Sequence, residues 1–239
     1  KEVIEVFKKN IIKNFGPGSE YWKNLTLRKK YKKIKWKTAM KGPWIHQNIL
    51  ETINNIKLKK TVTGGVKVNE SDGYCASLPF YFSNNSEQKT KKIIRTVANG
   101  KVSEQFAMAK LKIIDLADKG DKDPINSFLK KNLKNKYFSN VIENIKKVKK
   151  IRSKPHNVVV KTFGKACSYP GTFNGALHAI MTSKNFKTAV IKTIKAGGCN
   201  CSRANFVGAY FAALKGLKGI PQDWIKKTDP AKNIIKYIA

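Results

Sequence analysis

Acid and arginine are the two things this 239-residue chain has little of for its charge. It carries 15 Asp and Glu against 49 Lys and Arg, which leaves a formal net charge of +34 and a pI near 10.1. The arginines are only Arg28, Arg95, Arg152 and Arg203. Reading base edges relies on the rigid arginine fork, so a sequence-reading nucleic-acid protein is disfavoured. The lysines recur in many segments (Lys29 to Lys33, Lys89 to Lys92, Lys146 to Lys154) mixed with Asn and Ile, as a compositional bias would scatter them. Charge alone then implies weak, salt-sensitive association with polyanions. Cysteine is scarce as well: Cys75, Cys167, Cys199 and Cys201 are too few for a disulfide scaffold, so an intracellular, reducing compartment is expected. These residues show no apolar run long enough to span a bilayer and no tandem repeat, and no secretory signal is visible among them. The chain opens on Lys1, and an N-terminal part is expected to be missing.

What is present is a globular composition, 41% hydrophobic and 10% aromatic, in a chain long enough for one substantial core or two small ones. A single domain over 1–239 is the expectation. Val3 to Phe15 has helical spacing and stops at Gly16-Pro17-Gly18. A very basic helix follows Ser19, with Trp22, Leu25, Tyr31, Ile34 and Trp36 apolar, broken by Lys41-Gly42-Pro43. Trp44-Ile45-His46 leads into a third helix through Ile56, and Thr61 to Asp72 reads as loop. Gly73 to Phe82 is a short apolar stretch whose periodicity fits strand and buried helix alike. Helices are expected over Glu87 to Ala98 and Val102 to Ala117, from an Asp123-Pro124 start, and over Phe138 to Val148. Ile151 to Phe163 reads as a connector with an extended piece at Val158 to Val160. Further helices hold Phe173 to Met181, Phe186 to Ile194, and Phe206 to Ala213. In that last one, Ala204, Gly208, Ala212 and Gly216 let a neighbouring helix approach closely, and Pro221 to Trp224 caps a final helix. The sum is an all-α chain.

The stretch Gly197-Gly198-Cys199-Asn200-Cys201-Ser202-Arg203 holds the most chemistry, since it opens a helix whose first N–H groups lack partners. An ordinary N-cap has the same look. Cys199 and Cys201 have three readings: small buried residues, a reactive thiolate favoured by the helix N-terminus, or a soft-metal site recruiting Cys75 or Cys167. Their C-x-C spacing lacks the C-x-x-C of common zinc sites. His178 lies beside an apolar face and reads as a packing histidine before a base, while His46 and His156 have no evident partner.

Ser168 to Trp224 resembles the ADP-ribosylglycohydrolase family in motif order. The likeness is carried by a Gly-rich turn and helix (Gly171, Phe173, Ala176, Leu177, His178, Ala179), Phe186 with Ala189-Val190, the double glycine, Gly208-Ala209, Gly216, and Ile220-Pro221 with Trp224. Upstream, Ser71-Asp72-Gly73-Tyr74-Cys75 through Pro79 resembles the family's Asn-Gly segment. Phe15-Gly16-Pro17, Gly42-Pro43-Trp44, Asp72-Gly73 and Ser202-Arg203-Ala204 are most similar to its branch of J-type crystallins and selenoprotein J.

The resemblance implies an orthogonal multi-helix fold in which two Mg²⁺ ions bind an ADP-ribose unit and help hydrolyse its glycosidic link. It also implies substrate contacts at Asp72, Gly73, Tyr74, Gly197, Gly198 and Asn200. Asp72 also reads as a turn residue, and Trp44, Tyr74 and Trp224 as core before adenine-stacking rings. In the family's active members the double glycine is followed by Asp-Thr-Asp-Ser/Thr. Here Cys199 and Cys201 replace both carboxylates and only Ser202 keeps a ligand type; no Asp or Glu occurs between Glu143 and Asp223. The dinuclear magnesium site is therefore expected to be degraded, with no cofactor unless residues outside this chain complete it. Three functions follow as expectations: a member with reduced or lost hydrolase activity that still binds ADP-ribose or a nucleotide, an active hydrolase with a rearranged site completed by missing N-terminal residues, or a basic polyanion-binding scaffold.

Overall fold

The computed structural model describes residues 2–22, 45–84 and 86–236. They are mostly helical, with no strand among them; a parallel bridge joins Gly65 to Ala98. The chain divides into two units, Lys1–Ala107 and Met108–Ala239. None of the described helices is long and apolar enough to cross a membrane. Most of the basic helix expected after Ser19, from residue 23 on, and the Gly42-Pro43-Trp44 segment lie outside the described residues.

The first unit holds α1 (Glu2–Phe15), α2 (Gln47–Lys57), α3 (Asp72–Asn84), α4 (Glu87–Val97) and the start of α5 (Lys101–Asp118). Ile11, Ile53 and Val97 are buried together, with Phe7, Ile12, Phe15, Trp22 and Ile49 packed around them. The Gly64-Gly65 loop has a definite task here: its two N–H groups donate to Arg95 and Val97 carbonyls at 3.0 Å each. The Thr63 hydroxyl donates to the Thr96 carbonyl at 2.8 Å. Three carbonyls at the α4 C-terminus, which a helix cannot satisfy internally, thus find donors in this loop. The ambiguous stretch from Gly73 is α3. Its buried positions are Gly73, Tyr74, Ser77 and Tyr81, a helical period that glycine and serine concealed from hydropathy.

The second unit is arranged around α9 (Gly171–Met181), whose residues Gly171 to Ile180 are all buried. Packed against it are α7 (Ser139–Lys150), α8 (His156–Phe163), α10 (Phe186–Lys195) and α11 (Asn200–Lys215). A helix surrounded on all sides is normally apolar all round. This one instead buries polar groups in pairs: Asn174 donates to Asn144 Oδ1 at 2.8 Å, and His178 Nδ1 lies 3.0 Å from His156 Nδ1. Phe173 stacks on Phe206 with centroids 5.9 Å apart.

The Asp123-Pro124 start is as expected: α6 (Pro124–Asn132) has Asp123 accepting from the Asn126 N–H at 3.2 Å. Val158 to Val160, expected to be extended, lies in α8. His156, Val159 and Val160 are its buried face, and packing against α9 overrides the β-preference of three consecutive valines. On α11, what lies nearest to Gly208 is the Phe186 ring of α10, while Gly216 caps the helix at φ +59°. The last two helices are α12 (Gln222–Lys226) and α13 (Ala231–Ile235).

The histidine pair sets a pH dependence. His178 Nε2 faces the Arg152 carbonyl at 3.1 Å, so it carries the proton there and its Nδ1 accepts from His156. Both rings are then neutral. Burial, the His178 ring, and the charges of Lys192 and Arg203 push His156 down to about 3; burial also lowers His178. The unfolded chain takes up these protons near pH 6.5 and the folded chain does not, so stability is full above that value and is lost as pH falls below it. We expect the urea midpoint to drop between pH 6.5 and 5 by the equivalent of about 1 kcal/mol per pH unit for His156 alone. In His156→Gln that slope should shrink; an unchanged slope would refute the assignment.

Candidate functional site

In the second unit, α10 ends at a turn that only the double glycine permits. Gly197 and Gly198 have φ of +71° and +70°. The turn is fastened to the 164–170 loop by the Cys199 N–H, which donates to the Lys165 carbonyl at 2.8 Å. A Cβ on Gly198 would lie 2.5 Å from that same carbonyl oxygen, whereas one on Gly197 would meet nothing nearer than the Lys165 ammonium at 3.9 Å. Cys199 then takes the N-cap position of α11 with no side-chain cap bond, and Asn200 begins the helix.

One turn further on, Arg203 is wholly buried. Its Nη2 donates to the Gly197 carbonyl and to Asn200 Oδ1, the latter at 2.9 Å. Its Nε and Nη1 have no hydrogen-bond partner. The guanidinium stem lies against α9, where a Cβ on Gly175 would come within 2.8 Å of Arg203 Cδ. Burial lowers the Arg203 pKa, and the thiols of Cys199, Cys201 and Cys167 oppose that shift.

Three of the chain's four cysteines meet here. The Cys167 thiol donates to Cys199 Sγ at 2.9 Å, Ser202 Oγ lies 2.9 Å from the same sulfur, and Cys201 Sγ lies 3.7 Å from it. Cys199 is half-buried and Cys201 exposed. The hydrogen bond from Cys167 is the main cause that pulls the Cys199 pKa down to about 4, with Ser202 adding to it and burial opposing. Cys201 moves the other way, raised by burial and by the charge of Cys199. The arrangement gathers three sulfurs and a hydroxyl at the start of α11, with a guanidinium one turn behind.

In the first unit, Asp72 opens α3 and accepts from both sides. Its Oδ1 is 2.7 Å from His46 Nδ1, and its Oδ2 accepts from Asn48 Nδ2 at 3.3 Å. Glu70 completes a group in which one donor atom each from His46, Glu70 and Asp72 falls within 4.8 Å of the others. Imidazole with two carboxylates suits a divalent transition metal better than magnesium. Gly73 faces Ile94, with room for no side chain, and Tyr74 is 1% exposed, a core residue.

The expected contact residues thus fall into two groups. Asp72, Gly73 and Tyr74 belong to the first unit; Gly197, Gly198, Asn200 and Ser202 belong to the second. Sequence reasoning missed the partner of His46, the contribution of Glu70, and the burial of Arg203. No spacing rule ties His46 to a carboxylate 26 residues on. The scarcity of cysteine was the one available signal for Cys167, and Cys75, its alternative, is exposed in the other unit.

A family model described as ADP-ribosylglycohydrolase matches residues 45–239. The chain is similar to Crystallin J1A of Tripedalia cystophora, 28% identical over 229 residues, covering 94% of this chain and 68% of that protein. It is also similar to Crystallin J1B of the same organism, 24% identical over 235 residues with the same coverage, 94% and 68%.

The two glycines should respond unequally to substitution. Gly197→Ala meets only the left-handed backbone penalty, roughly 1–2 kcal/mol. Gly198→Ala adds a collision with the Lys165 carbonyl, for a total of about 3 kcal/mol or more. Urea unfolding of the two variants measures this, and equal losses would show that the turn is not pinned to the 164–170 loop.

Proposed function

Because this chain belongs to the ADP-ribosylglycohydrolase family, we propose that it is a member that has left dinuclear-magnesium hydrolysis behind while keeping a fold able to receive ADP-ribose or a related nucleotide. One observation carries the reading. The turn after the double glycine offers two thiols, an amide and a hydroxyl beside the buried Arg203, and no carboxylate. Mg²⁺ binds oxygen, chiefly carboxylate, and gives up its water reluctantly. A fixed guanidinium in the same place adds repulsion where a dication would need neutralising. The residues present after the double glycine do not fit the pair of ions. The two similar proteins are both called crystallins, which supports this reading.

A second reading has its own support in the His46, Glu70 and Asp72 group. Here a single divalent ion, held by a nitrogen and two carboxylates, would serve a rearranged hydrolase, with His46 and Asp72 holding each other in place until the ion enters.

Calorimetric titration of ADP-ribose into the 239-residue chain separates the two, run with no metal, with Mg²⁺ and with Mn²⁺. We expect binding that Mg²⁺ changes by less than about threefold, below the 1.4 kcal/mol that marks a tenfold effect, together with no release of ADP-ribose from a modified protein. Binding or hydrolysis that needs Mn²⁺ and is lost in His46→Ala would establish the second reading instead. Association only with polyanions of any sequence, falling steeply with salt, would reduce the protein to a basic scaffold.

A further inference from the structure

The thiol cluster has a use that neither reading above requires. We propose that Cys199 and Cys167 form a two-electron redox pair, in which Cys199 reduces a small hydroperoxide and Cys167 resolves the product as a disulfide. The two sulfurs come from segments 32 residues apart and lie 2.9 Å from each other, about 0.9 Å beyond a disulfide bond. Thiols brought together for packing alone would be enclosed; Cys199 and Cys167 are both partly open to solvent. Ser202 supplies a hydroxyl 2.9 Å from Cys199 Sγ. Arg203 holds the Gly197 carbonyl and Asn200 amide on either side of Cys199, and its charge acts on all three thiols.

A shared metal is the rival use of three sulfurs. Among the described residues, however, the group whose donor atoms all fall within 4.8 Å of one another is His46, Glu70 and Asp72, not the cysteines. The sulfurs form a chain, with Cys199 in the middle, 2.9 Å from Cys167 and 3.7 Å from Cys201. A chain suits attack and resolution, where one sulfur reacts and a neighbour displaces; a metal needs its ligands to converge.

The Cys199 thiolate attacks one oxygen of the hydroperoxide, the O–O bond breaks, and the leaving alkoxide or hydroxide takes a proton to become alcohol or water. Cys199 is now a sulfenic acid. The Cys167 sulfur attacks Cys199 Sγ as its thiol proton passes to the departing hydroxide; the S–OH bond breaks, the S–S bond forms, and water leaves. Two thiols are oxidised, one hydroperoxide is reduced, and no other reactant enters.

The test uses the full 239-residue chain, freed of metal by a chelator and given one equivalent of hydrogen peroxide. Non-reducing digestion and mass spectrometry should find a Cys167–Cys199 linkage, with exposed Cys75 modified at least about tenfold more slowly. Cys167→Ser should stop at the sulfenic acid, captured on Cys199 by a 1,3-dicarbonyl nucleophile, and Cys201→Ser should still form the linkage. Cys199→Ser, a near-isosteric change at an N-cap position, should remove the fast reaction while circular dichroism stays that of the parent. A linkage between Cys199 and Cys201, oxidation of Cys75 at the same rate as Cys199, or a stoichiometric metal found on the thiols of the isolated protein would each overturn the proposal.

Discussion

A guanidinium buried without a carboxylate is the constraint on which the second unit depends. Among the described residues no carboxylate pairs with Arg203, so its charge is not offset by the usual partner. Removing a charge from water costs several kcal/mol unless hydrogen bonds and an opposite charge offset it. Here the offset is assembled from the Gly197 carbonyl, the Asn200 amide and the polarised sulfur of Cys199. Each element of the turn serves that arrangement. The double glycine bends the chain so that the Gly197 carbonyl faces inward, the 164–170 loop clamps the bend through Lys165, and Gly175 makes room on α9 for the arginine stem.

The same logic runs through the core. The helix at its centre is enclosed by four others, yet it carries Thr172, Asn174 and His178 where leucines would be cheaper to bury. Each meets a partner: a carbonyl for Thr172, the Asn144 amide for Asn174, and the neutral His156 ring for His178. Unlike apolar contacts, such bonds fix rotation and register, because an amide or imidazole displaced by a fraction of a turn leaves a donor without an acceptor. This keeps the helix that bears Gly175 in one orientation toward the helix that bears Arg203, and so holds the thiols where they meet. Positive charge is hence a structural matter inside the molecule and a solubility matter outside it. Lysines cover solvent-facing surfaces, while Arg203 is enclosed and Lys110 is buried beside the Tyr169 and Phe206 rings, at 4.9 and 5.5 Å.

How much of this could be read from residues alone varied with the kind of signal. Periodicity found α1, α5, α7, α9 and α10, although Val3 and Val6 of α1 and Ile194 of α10, expected on the apolar faces, are exposed. It left α3 undecided, since glycine, serine and tyrosine occupy its buried positions, and it took the valines of α8 for an extended piece. The family likeness came from short motifs around glycines, and the family comparison bears it out over residues 45–239.

The sequence by itself determined the class of fold, the family, the excess of positive charge and the absence of carboxylate after the double glycine, because these depend on composition and on local spacing. Only the tertiary structure decided that Cys167 would find Cys199, that His46 would find Asp72, and that Arg203 would be enclosed. Those pairings join segments far apart in the chain, and no local rule of periodicity or propensity reports which distant backbone will close on which. What closes them is the packing of whole helices, which fixes distances of a few ångströms between residues that the sequence lists as strangers.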